Sequence, residues 1–419
     1  MSNRIIIFDD EEGAADSWKG EIEGLLPKGS PYEVSLMIDG QFKDAVRGLE
    51  ERRENLRDGK SFAASLGSNP FDEAAILIVD YDLLRLYKDF LTGEAVAYLA
   101  RCFSRCGFIV ALNQYGSNNF DLTLKGHPRS FADLNLGSQQ IGNGGLWSED
   151  KLGFRPWSWP LLPRAEGALQ RRATALQQHI DVPILSYLSI PEDIATTFPR
   201  NVMEFLDIGK NGHKHLNEIT FRDFVSKSQN GLKGKDALSK IGADDDGAFS
   251  DELIARIAAS RIGKWLERLV LPGQDLLVDA PHLASRYTSL LEGSEEEKES
   301  AEHWDRLSSF DAPNIHRKEI ESHLFGHADW LSRPAWWWRH ISDDEDIEEV
   351  RNPWSSRPAN YVFCEDVSRF LPREEAQEFV ADLPSPFARR FAADPDKSDE
   401  ALASELRRVD YWPQVRFSL

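Results

Sequence analysis

Four aspartates stand where this chain could do chemistry. Asp9 and Asp10 end the apolar run Arg4–Phe8 (RIIIF), and Asp80 ends a second apolar run, Ala74–Val79 (AAILIV), with Asp82 two residues further on. Carboxylates gathered within a few ångströms repel one another and raise each other's pKa unless a hard cation joins them. Mg2+ takes oxygen ligands and accompanies phosphate, so it suits such a set. The chemistry expected of Asp9, Asp10 and Asp80 is binding of a divalent metal. A plainer use is also open, since aspartate near a helix N-terminus is stabilising as a cap.

The flanking segments say how these acids would meet. Arg4–Phe8 reads as a buried parallel strand, Ala14–Leu26 as a helix with Trp18, Ile22 and Leu25 on one side, Tyr32–Ile38 as a second strand and Phe42–Leu56 as a second helix. Arg57–Asp72 has no clear period and reads as a loop or insertion. The alternation resumes with strand Ala74–Val79, helix Leu91–Cys106 and strand Gly107–Leu112. Strands alternating with helices predict an α/β fold, a doubly wound, mostly parallel sheet. Ligands of such sheets bind beyond the carboxyl ends of the strands, and both acidic tips fall there.

IIIFDDEEG and ILIVDYDLL resemble the acidic-pair and phospho-acceptor motifs of the response-regulator receiver family, and TGEAVAYLARCFSRCGFIVALN resembles its third helix and fourth strand. The resemblance implies Mg2+ held by Asp9, Asp10, Asp80 and the backbone carbonyl of Asp82, with Asp80 as the nucleophile that takes up a phosphoryl group. Lys125, in FDLTLKGHP, matches the lysine that reads the phosphate from the fifth strand, and Asn113 stands where receivers place a Thr or Ser hydroxyl. Only residues 114–119 separate the fourth strand from that candidate fifth, whereas a parallel crossover needs about a dozen residues. The family's fourth helix is therefore expected to be missing or reduced.

The function implied is two-component signalling. A histidine kinase would donate a phosphoryl group to Asp80, and the protein would pass or buffer that signal through protein contacts, as stand-alone regulators do in bacterial signalling or phage-defence systems. Two alternatives stay open: a pseudo-receiver that only docks partners, and a metal-dependent phosphatase, because Asp80-x-Asp82 also resembles the DxD motif of haloacid-dehalogenase-type enzymes. A phospho-acceptor is expected rather than a turnover enzyme.

From Gln139 the texture changes, with IGNGG and then Trp147, Trp157 and Trp159 among prolines. The expected division is an atypical receiver domain over 1–135, a boundary over 136–165 and a mainly α-helical domain over 166–419. Its best helices are Glu166–His179, Asp251–Val270, Asp275–Leu291 and Asp399–Val409. His323 and His327 have the spacing of a zinc-binding helix without its glutamate, and His213 and His215 form an HxH in an apparent loop. Asp279, His282 and Arg286 suggest a structural hydrogen-bond cluster. Trp330, Trp336, Trp337 and Trp338, with Arg333 and Arg339, suggest a partner-binding protein surface over 330–340.

Bulk properties narrow the classes. The 419 residues exceed what one core of about 250–300 residues serves, which favours two domains. Lys and Arg number 49 against 70 for Asp and Glu, a net charge of −21 that disfavours sequence-blind nucleic-acid binding and acidic membrane surfaces. Three cysteines make neither a disulfide framework nor a CxxC zinc site. No apolar stretch reaches the ~18 residues of a membrane span, and the chain reads as cytoplasmic.

Overall fold

Ile5, Ile6 and Ile7 present apolar surface to both sides of a strand, so the strand is stable only inside a sheet covered on both faces. In the computed structural model, which describes residues 3–58, 60, 67–83, 92–113, 120–121, 130–149, 153–206, 216–230, 249–347, 360–380 and 389–410, that is where it lies. Five strands, β1 (Arg4–Phe8), β2 (Glu33–Leu36), β3 (Ala74–Asp80), β4 (Phe108–Asn113) and β5 (Leu134–Gly137), form a sheet in the order β2-β1-β3-β4-β5. Every neighbouring pair is parallel. All seven residues of β3 are buried.

Helix α1 (Glu12–Leu25) turns Trp18 and Ile22, four residues apart, inward and lies on β1 and β2. Helix α2 (Asp39–Arg57) buries Phe42, Val46 and Leu49 and packs on α3 (Gly93–Phe103), which in turn covers β3 and β4. Cys102 and Cys106 are buried free thiols, part of one packed face.

The fifth strand differs from expectation. Phe120–Asp121 pairs instead with Val409–Asp410 in a separate two-stranded parallel ribbon. The sheet is completed by Leu134–Gly137, which pairs with Val110–Asn113. The reason is chain length: the six residues 114–119 cannot make a parallel crossover, whereas residues 114–133 can. The strand so formed crosses position 135, where a boundary was expected.

Beyond the sheet, α4 (Leu162–Leu176) and α5 (Asp251–Trp265) pack against each other, α4 touching β4 and α5 touching α3. Buried apolar residues of the sheet and of these later helices form one continuous cluster. Segment Asp275–Leu291, expected as one helix, begins as strand β6 (Leu277–Asp279), antiparallel to β7 (Ala335–Trp337), and continues as the short helix α6 (Ala280–Arg286). Asp279 makes that switch by accepting the His282 backbone N–H as an N-cap, with Pro281 in the first turn. Residues 166–419 also hold a four-stranded sheet, in which β8 (Tyr361–Cys364), β9 (Arg369–Pro372), β10 (Ala376–Val380) and β11 (Arg389–Ala393) run in the order β9-β8-β11-β10. Among the described residues no helix is long and apolar enough to cross a membrane.

Candidate functional site

Strands β1 and β3 are neighbours, with Phe8 opposite Val79, so the residues that follow, Asp9 and Asp80, leave the sheet at the same edge. Asp9 is 4 % exposed and Asp80 1 %. Ligand oxygens of Asp9, Asp10 and Asp80 all lie within 4.8 Å of one another. Among the described residues, these aspartates are the one group of three or more His, Cys, Asp or Glu side chains that converges in this way. The Glu11 backbone N–H donates to Asp9 Oδ1 at 2.6 Å, fixing that carboxylate at the start of α1.

Asp80 is held at a cost. Its Oδ1 is buried and accepts no hydrogen bond among the described residues, and a buried acceptor without a donor is destabilising. Burial pushes its carboxyl up to about 7; the charge of Asp9 adds to the shift, with Asp10 and Asp82 contributing less, while a backbone hydrogen bond at Tyr81 works the other way. An all-oxygen donor set that includes the orphaned Asp80 Oδ1 fits a small hard cation such as Mg2+.

Tyr81, just beyond β3, is tied to β4 and to α3. The Tyr81 N–H donates to Leu112 O at 2.6 Å, joining it to β4, and the Gly93 N–H donates to Tyr81 O at 2.8 Å, joining it to α3. Asp82 forms an isolated antiparallel bridge with Thr92. Thr92 caps α3 by accepting the Ala95 N–H at 3.2 Å. Next to it, Glu94 accepts the Ser130 hydroxyl and the Phe131 N–H, each at 2.6 Å, which links the helix start to the segment entering β5. Asn113 ends β4 opposite Gly137, so its backbone lies at the same strand-end edge. Lys125 lies outside the described residues, as do His213 and His215.

The other constellations resolve into structural roles. His323 Nε2 is 2.7 Å from Asp344, whereas His327 stacks on Tyr187, so the two do not share a ligand position. His282 sits in a buried ion network. Its Nδ1 is 2.6 Å from Asp279 and its Nε2 3.1 Å from Glu365, which also receives the Arg390 guanidinium. Asp279 accepts the Trp157 indole N–H at 2.7 Å. Desolvation opposes the charged forms, yet the mutual attraction leaves His282 raised and Asp279 and Glu365 lowered. Asp279 and His282 thus form the expected hydrogen-bond cluster, while Arg286 lies over the Trp338 ring instead. Glu365 and Arg390 escaped the sequence reading because they arrive from a separate sheet, 83 and 108 residues on.

The tryptophan segment lies largely in the interior. Trp330, Trp336 and Trp337 are buried, and Trp338 is partly so. Trp336 and Trp337 belong to β7, which is interior, and Arg333 is buried with its guanidinium donating to Trp157 O at 3.0 Å. Apolar rings of this size contribute more to stability in a core than they leave available for a partner surface.

Sequence reasoning also missed a buried polar hub. Arg101, on α3, pairs with Asp133 just before β5, and Asp133 also accepts the Ile109 N–H and the Ser260 hydroxyl of α5. The one signal was an arginine set amid the apolar residues of LARCF. Comparison of the chain with models of known families, with curated proteins and with solved structures finds no match.

Proposed function

We propose that the sheet and its acidic edge act as a receiver-like phosphoryl acceptor, with Asp80 the residue modified. The observation that carries this reading is the convergence of the Asp9, Asp10 and Asp80 carboxylates at the ends of adjacent strands. The strand order β2-β1-β3-β4-β5 supports it, because this is the doubly wound order whose ligands lie at the β1/β3 switch point.

Asp9, Asp10 and Asp80 would hold Mg2+, with the Asp82 carbonyl a further ligand. When bound, the cation would keep Asp80 ionised and offset negative charge on the transferring group. In the transfer a carboxylate oxygen of Asp80 forms a P–O bond while the P–N bond of a phosphohistidine on a histidine kinase breaks, the departing imidazole taking up a proton. Burial of the Asp80 carboxyl limits water at the acyl phosphate. The region beyond the sheet would pass or buffer the signal through protein contacts.

Incubation with Mg2+ and acetyl phosphate, followed by intact-mass measurement, tests the reading. One added phosphoryl group is expected, absent in Asp80→Asn and absent when EDTA replaces Mg2+. An unmodified protein under these conditions, with Mg2+ neither binding nor altering stability, would overturn it.

A further inference from the structure

At the other end of the sheet lies a cavity of about 320 Å³, bounded by α4, α5 and residues 324–334. Phe108, the first residue of β4, and Asp133, just before β5, line its floor. The strands are parallel, so this floor is at the amino ends and the aspartate cluster at the carboxyl ends, about 20 Å apart for a six-residue strand.

The walls carry an excess of positive charge in a chain whose net charge is −21. Three lining acids are answered by arginines: Asp133 by Arg101, Asp311 by Arg164 and Asp329 by Arg171. Five further cations, Arg172, Lys264, Arg268, Arg333 and the exposed Arg317, also line the cavity, and among the described residues none of them forms an ion pair with a carboxylate. They are held by neutral groups instead. Lys264 donates to Ala132 O at 2.8 Å, Arg268 to Ser158 O at 2.8 Å, Arg172 to Asp329 O at 2.9 Å, and Arg333 to Trp157 O at 3.0 Å and Ser368 Oγ at 3.3 Å. The one lining carboxylate outside those pairs, Glu267, is itself engaged by the Ser332 N–H and hydroxyl. The lining side chains count seven Lys and Arg against four Asp and Glu, a surplus of three positive charges.

Buried charge that the protein does not pair is costly, and Lys264, 7 % exposed, shows it, with burial lowering its ammonium to about 7. The local backbone is shaped around one of these cations. A Cβ on Gly263 of α5 would come within 2.8 Å of the Arg172 guanidinium carbon, so glycine there lets the group lie against the helix. Trp330 covers Arg172, its ring centroid 5.5 Å away. A phosphoryl group brings about two negative charges and several acceptor oxygens, which matches the surplus better than a single carboxylate does, and the volume suits a small molecule.

We propose that this cavity is a second ligand site, taking a small molecule that carries a phosphate monoester or diphosphate group, with Arg172, Lys264, Arg268 and Arg333 as its anion-binding residues. The site is separate from Asp80 and does not depend on its modification. Isothermal titration of the full chain with pyrophosphate and with adenosine monophosphate tests it. Saturable binding of at least one of the two at one site per chain is expected, weakened tenfold or more in both Lys264→Met and Arg268→Met. Affinity should stay within twofold in Asp80→Asn and in Arg47→Ala, whose guanidinium on α2 is 69 % exposed, paired with Asp44 and outside the cavity. Circular dichroism confirms that each variant is folded, and Arg268→Met carries the test if Lys264→Met does not fold. Failure of both probes to bind at millimolar concentration, or binding that survives loss of either cation, would overturn the proposal.

Discussion

Gly93 lies directly against the peptide that carries Asp80: a Cβ built on it would stand 2.3 Å from the Asp80 carbonyl oxygen and 2.7 Å from Tyr81 Cα. Both atoms are backbone, so neither can swing aside. Gly93→Ala is expected to push the start of α3 off the strand end, lowering stability by about 1–3 kcal/mol in urea unfolding and weakening Mg2+ binding. Gly107→Ala is the control. Its Cβ would meet Ala75 O at 2.1 Å at the far end of the strands, so it should lose comparable stability while Mg2+ affinity holds. Wild-type stability in Gly93→Ala would contradict the contact.

The raised pKa of Asp80 makes stability depend on pH in a defined direction. Its native value of about 7 exceeds the ordinary 3.8, so the folded state holds the proton more tightly and stability falls as pH rises from about 4 through 7. A shift of about 3 units corresponds to at most about 4 kcal/mol. In EDTA, Asp80→Asn should match the wild type near pH 4 and exceed it by a few kcal/mol at pH 8, and added Mg2+ should narrow that gap. Parallel stability curves for the two proteins across this range would refute the assignment.

How much of this could be read in the sequence follows from the range of the forces involved. Strands β1, β3 and β4 are continuous apolar runs closed by acids or by asparagine, and their extents and the residues that close them were legible from local pattern alone. The fifth strand was not. LNLG carries only two apolar residues, so its pattern is weak, and FDLTLKGHP drew the assignment by its lysine although the preceding segment is too short to cross the sheet. The aspartate triad was legible because ligands of a parallel sheet lie beyond the carboxyl ends of its strands, where both acidic tips fall. The charges that meet in the cavity depend on contacts between residues over 100 positions apart, on which spacing is silent.

The buried network around His282 should set a second pH window. Its raised pKa means its contribution is complete below the ordinary 6.5 and is lost as pH rises through the native value. Asp279 and Glu365 are lowered, so theirs is present above 3.8 and 4.5 and lost as pH falls through the native values. His282→Gln leaves two buried carboxylates with less positive charge between them, an expected loss of about 3–5 kcal/mol near pH 6 by urea unfolding. The slope on the alkaline side should vanish with it. A variant as stable as wild type would show that the imidazole is neutral in the folded protein.

The tryptophans separate a core role from a docking role by energy. Trp336 is fully buried in β7, opposite Val278 of β6, so truncation removes a large side chain from a place its neighbours cannot refill. Trp336→Ala should cost about 3–5 kcal/mol. Trp338 is only partly buried, under the Arg286 guanidinium at 5.4 Å, so Trp338→Ala should cost distinctly less. A surface that evolved to meet a partner would give the opposite result, both truncations leaving stability within about 0.5 kcal/mol of wild type. Thermal or urea unfolding of the two variants side by side therefore decides whether the AWWW run builds the protein's interior or waits for another molecule.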